Sequence, residues 1–156
     1  MLESSVLIQC AAVMGVSMVP VLELRAAIPF GVAMGLPVWL VFVMAVIGNM
    51  IPVPAIMLFA RTLFRWLRQR KWWGSKIVWL ETRAHLKGRM VRKYRLLGLV
   101  ILVAIPLPGT GAWTGALVAT IFRSRIALAM PAIFLGVLIA GGAVTGATLG
   151  VVHLWF

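Results

Sequence analysis

The chain has 156 residues, one domain's worth, but 63% of them are apolar and the mean hydropathy is +1.07, well beyond a soluble domain. Fifteen Lys/Arg against three acidic residues give a net charge of +12. Twelve of those fifteen lie between Arg61 and Arg95, flanked by long uncharged runs, which is the pattern of a cytoplasmic loop in a membrane protein. A nucleic-acid binder spreads its charge over one face of a soluble fold, so nucleic acid is excluded as a partner.

In chain order, the first 24 residues hold no Lys or Arg, so no basic leader region precedes the apolar stretch 4–19, which is expected to stay in the mature protein. A single cysteine, Cys10, rules out an internal disulfide, and two histidines give no metal cluster. No cofactor motif is present. The uncharged run from Ala26 to Ala60 would be about 52 Å long as one helix, too long for one crossing of a core about 30 Å thick. Gly31, Gly35 and Pro37 mark its turn, and Val38–Phe59 then makes one span. Ile77, Leu80, Ala84, Val91 and Tyr94 give the basic segment a helical stripe. Trp66, Trp72, Trp73 and Trp79 interleave with its cations, which suits contact with membrane lipid at an anionic inner leaflet.

The next apolar run, Leu96 to Phe122, is broken by Pro106, Pro108 and Gly109. It is too long and too broken for one span and too short for two, so a re-entrant hairpin is expected. Arg123 and Arg125 then share the cytoplasmic side with the basic loop, and the last helix crosses from Ile126 to about Gly150. Residues 4–37 read as a second such hairpin, of opposite orientation; the competing arrangement has 4–19 crossing fully. The expected fold class is therefore an all-α polytopic membrane protein. It is an inverted repeat of a re-entrant helical hairpin plus a transmembrane helix, with an amphipathic cytoplasmic segment between halves. The halves are 1–60 and 96–156, joined by the basic loop 61–95, in a multi-pass protein of the cell (inner) membrane.

Chemistry concentrates at the two hairpin tips. Glu23 and Arg25 are ionisable residues at membrane depth and are functional candidates by default. Pro20 and Pro29 bracket them, so this tip is not expected to be one continuous helix. Glu23 suits a proton or cation acceptor and Arg25 an anchor for an anionic headgroup; a mutually neutralising pair is the bland alternative. In the second tip, Pro106, Pro108, Gly109, Thr110, Trp113 and Thr114 could offer freed backbone groups and hydroxyls to a substrate or ion, or merely close the turn. Asn49, beside Pro52, is either an interhelical hydrogen-bonding residue or a third pore-lining group. The spacing of Gly142, Gly146 and Gly150 on one helix face suits a homodimer contact, although the same face could pack within one chain.

Glu23–Pro29, Gly48–Pro54, Ile105–Ala116 and Ala132–Gly141 resemble the signature segments of the small multidrug export protein family, in order along nearly the whole chain. That family looks distantly related to DedA and VTT-domain membrane proteins. The resemblance implies paired re-entrant hairpins, with Glu23 and Arg25 at the acidic and basic positions of the first. The second tip departs from that pattern, because it carries no arginine and Arg123 lies well downstream. The expected function is proton-coupled secondary transport of a small amphiphilic or cationic compound or a lipid headgroup. A membrane-organising or lipid-scrambling protein of DedA/VTT type is the alternative. No nucleophile–base constellation points to an enzyme.

Overall fold

The computed structural model describes residues 2–68, 78–79, 88–107 and 110–155. Its main elements are α1 (Leu2–Met18), α2 (Glu23–Ala33), α3 (Val38–Met50), α4 (Pro52–Arg68), α5 (Gly88–Ala104), α6 (Ala112–Ile121) and α7 (Ile126–Trp155). Among the described residues the protein is all helical. Most of the striped basic segment, including Trp72, Trp73, Ile77, Leu80 and Ala84, lies outside them, as do Pro108 and Gly109.

Two helical stretches, Val38–Trp66 and Ile126–Leu154, are each 29 residues long, and each contains an 18-residue window with a mean hydropathy of 2.2. At 1.5 Å per residue each reaches about 44 Å, enough to cross a hydrocarbon core. The first is interrupted at Ile51, where the helix gives way to a single turn residue before Pro52. Pro52 and Pro54 have no amide hydrogen to give to the carbonyls four residues back, so the two helices meet at a loosened joint. The apolar outer faces stay uncovered: Trp39 is 69% exposed, Phe59 70% and Leu154 87%. In water such a surface would aggregate; against lipid tails it costs nothing.

The helix ends fall elsewhere than the charge pattern suggests. α4 continues to Arg68 and α5 begins at Gly88, so both helices extend into the basic segment. α7 runs on past Gly150 to Trp155. The first tip also differs from expectation: Glu23 and Arg25 stand on a continuous helix, with Pro29 inside it. The break lies earlier, at residues 19–22, where Val21 has a φ of +77°. Pro29 removes only the bond to the Arg25 carbonyl, and such a loss is tolerated in membrane helices whose neighbours support the turn.

Each short helix ends in the same way. At the end of α2 the Gly35 amide donates to the Val32 carbonyl at 3.0 Å and the Leu36 amide to Gly31 at 3.3 Å. At the end of α6 the Arg123 amide donates to Thr120 and the Ser124 amide to Ala119, both at 2.9 Å. These are Schellman closures, which need a left-handed residue; Gly35 (φ +78°) takes it freely and Arg123 (φ +52°) against its Cβ.

Packing is by small residues at close range, the means available to helices in lipid, where burial of apolar area gives little drive. α1 lies on α3 so closely that a Cβ on Gly48 would strike the Met14 backbone, and α5 lies on α7 with Gly136 against Val103 and the Val100 carbonyl. α1 buries Cys10, Val13 and Ser17; the Ser17 hydroxyl donates to the Ala45 carbonyl of α3. α4 buries Val53, Met57 and Ala60, spaced four and three, with half-buried Arg61 at the edge of that stripe and Arg65 exposed. α4 packs on α6, and Arg61 donates from Nη2 to the Ser124 carbonyl just past α6. Tyr94, Phe122 and Ser124 line one apolar pocket, so the chain enters α5 and leaves α6 at one end of the fold.

Candidate functional site where the two tips meet

The N-terminal amides of a helix have no partner within it and concentrate positive potential, so some acceptor must be supplied. α6 begins after Gly111, which has no side chain to act as a cap. The acceptor comes from 90 positions earlier in the chain. The Trp113 amide donates to Glu23 Oε1 at 3.4 Å, and the Ala112 amide faces the same carboxylate. Glu23 itself has a φ of +46° and is only 6% exposed. Gly111 is what lets the carboxylate in: its φ is +145°, and a Cβ there would overlap both carboxylate oxygens.

Arg25 makes the second tie between the tips. Its Nη2 donates to the Thr110 carbonyl at 2.6 Å and to Thr110 Oγ1 at 3.1 Å. Thr110 is also the hub of its own turn. Its hydroxyl lies 2.6 Å from the Ile105 carbonyl and 2.8 Å from that of Leu107, and it accepts from the Leu107 amide at 3.2 Å. The two charged side chains of the first tip therefore each serve a backbone group of the second. That arrangement differs from a pair that only neutralises itself.

Between the ties lies a small cavity, about 10 Å³, lined by Glu23, Arg25, Asn49, Gly111 and Ala112 and walled by Val103, Val137, Ala140 and Val144. That is room for about one water. Asn49 is fully buried, and neither its amide nitrogen nor its amide oxygen has a hydrogen-bond partner. An unpaired buried polar group costs about 1–3 kcal/mol, so this side chain needs a reason to be here. Trp113 Nε1 is likewise buried without a partner. Ala140 lies about 21 Å along α7 from Ile126, close to the middle of that helix.

Of the residues singled out from sequence, Glu23, Arg25 and Asn49 thus line one cavity, which Thr110 and Trp113 close through the bonds above. Pro106 is exposed and Thr114 lies one residue further into α6; neither lines the cavity. Pro108 and Gly109 lie outside the described residues. Sequence reasoning missed Gly111 and the Ala112 amide as working parts. The available signal was a helix start with no Ser, Thr, Asp or Asn at its cap position. An open cavity reaching Glu23 is what a carrier caught loading would display; here the tips are closed.

Two apolar helices of membrane length, uncovered apolar faces and a charged cluster beside the middle of α7, with Glu23 buried and Arg25 half-buried, point to a membrane location. The family model described as "putative small multi-drug export protein" matches residues 23–150, and the chain belongs to that family. By that description the family is one of exporters, a transporter-like role, and not of enzymes. Comparison with curated proteins and with solved structures gives no match.

Proposed function

We propose that the protein is a proton-coupled secondary transporter of the cell membrane, moving a small amphiphilic or cationic compound or a lipid headgroup. The observation that carries this reading is buried Glu23 with half-buried Arg25, which together tie the two tips across a cavity at mid-helix depth. A proton arriving at Glu23 removes the charge that holds the α6 amides, so one tie weakens and the tips can part.

In this reading each half is a re-entrant hairpin followed by a crossing helix, the halves being inverted with respect to one another. Several features support it. α2 and α6 are of similar length and end in the same closure, and α1 packs on α3 as α5 packs on α7. Gly31 is pressed between Val13 and Val41 of the first half, as Gly115 is against Val103 of the second. The basic segment, Arg123 and Arg125 then lie on the cytoplasmic side. A homodimer would use the Gly142, Gly146 and Gly150 face of α7, where a Cβ meets nothing within 4 Å.

The closed cavity favours a second reading, a membrane-organising or lipid-scrambling role of DedA/VTT type in which the tips only brace the fold. Flux of candidate drugs and phospholipids into liposomes under an imposed pH gradient separates them. Transport predicts that wild type moves a cargo with the gradient and that Glu23→Gln folds but loses the coupled flux. Full pH-driven flux in that variant removes Glu23 as the proton carrier, and phospholipid movement indifferent to the gradient, or no flux of any cargo, in wild type leaves the second reading.

A further inference from the structure

The donors gathered at the tips outnumber what the chain itself asks of them. The Ala112 and Trp113 amides point out of a ten-residue helix at its positive end. Arg25 carries five N–H groups, and its bonds to Thr110 come from one nitrogen. Asn49 adds an amide that is 0% exposed and unpartnered, on the wall of the same cavity. The acceptor supplied is the Glu23 carboxylate, brought in by a left-handed backbone and admitted by a glycine. Among the described residues no other ionisable side chain lines the cavity; α5 and α7 contribute only Val103, Val137, Ala140 and Val144.

We infer that these donors form a binding site for one small monovalent anion, which the Glu23 carboxylate occupies as a ligand tethered in the chain. A cation is disfavoured there by both Arg25 and the helix end. The size of the ligand follows from the cavity. Space for about one water, plus the volume vacated when the carboxylate turns away, admits chloride or formate and leaves no room for an apolar tail. When Glu23 takes a proton it loses its charge and its hold on the amides. An external anion then enters with no net change of charge, one proton and one anion arriving together. Asn49 is the group that the tethered carboxylate leaves unsatisfied and the free anion would satisfy.

Occupancy of the closed tips does not depend on what cargo is transported, so binding alone tests it. The probe is radiolabelled chloride at equilibrium with the full-length protein in nanodiscs, at about pH 7.5 and about pH 4, on either side of the ordinary glutamate value. Wild type should bind about one chloride per chain at the lower pH and at least ten-fold more weakly at the higher. Glu23→Gln should bind with equal strength at both. Asn49→Ala should weaken the acid-pH binding about ten-fold without impairing folding, because it removes an unpaired group. If Glu23→Gln does not fold, the wild-type pH series and Asn49→Ala still decide. Chloride binding that is absent at the lower pH, or is the same at both pH values in wild type, overturns the proposal. Binding indifferent to Asn49→Ala overturns the site.

Discussion

Gly111→Ala probes the contact on which the candidate site is built. Two costs add. An alanine at a φ of +145° is strained, which costs about 1–3 kcal/mol. Its Cβ would also overlap the Glu23 carboxylate, so the carboxylate must leave the α6 amides, and losing a helix cap costs about 0.5–2 kcal/mol. The substitution should therefore destabilise by about 1.5–5 kcal/mol in reversible unfolding in mixed micelles. The steric part is specific to Glu23. In a Glu23→Ala background the same substitution should cost only the backbone strain, giving a coupling of about 0.5–2 kcal/mol in the double-mutant cycle. A Gly111→Ala penalty that is the same with and without Glu23 would refute the reasoning, since the carboxylate would then have no stake in the missing Cβ.

Three further outcomes are expected. With Cys10 replaced by alanine, cysteines introduced at Ser75 and Ser124 should both be labelled from the cytoplasmic side only; labelling from opposite sides means that 96–122 crosses the membrane. Arg61→Met should lower stability by about 1.5–3 kcal/mol, the range for a charge-assisted bond to a backbone carbonyl, while an unchanged unfolding midpoint would show that the tie to Ser124 is inert. Gly146→Leu should convert a dimer in mild detergent to folded monomers. Unfolding instead would show that the α7 glycine face packs within the chain, contrary to the open space beside it.

The sequence carries the fold through lengths and charge, and it carries the site only through residue types that lipid makes expensive. Pro106 and Pro108 within a 27-residue apolar run mark a break, and the described chain is indeed non-helical from Ile105 to Leu107 and at Thr110 and Gly111. Glu23 and Arg25 stand out because charges are rare at that depth. Their partners were hidden for a physical reason. An acceptor 90 residues from its donor leaves no local spacing to read, and the donors are backbone amides, which every residue but proline carries. Pro29 misled for a related reason. Its effect on a helix depends on whether neighbours can take over the freed carbonyl, and that is tertiary information.

If the protein transports as proposed, the closed tips also set how it behaves between events. Parting them breaks the Trp113–Glu23 bond and the Arg25 bonds to Thr110, each a hydrogen bond to a charged group. Such bonds contribute about 1.5–3 kcal/mol each, so opening all three costs on the order of 4.5–9 kcal/mol if nothing replaces them. At about 5.5 kcal/mol a two-state element sits about 10⁴ to one on the closed side, so the shut arrangement dominates without a ligand. Protonating Glu23 removes one of these ties, and a ligand that engages Arg25 offsets the other. Neither alone suffices. Under the proposed transport reading, such a gate opens when a proton and a partner for the guanidinium are present together, and that requirement, rather than a standing pathway, is what would prevent it from leaking ions through a resting membrane.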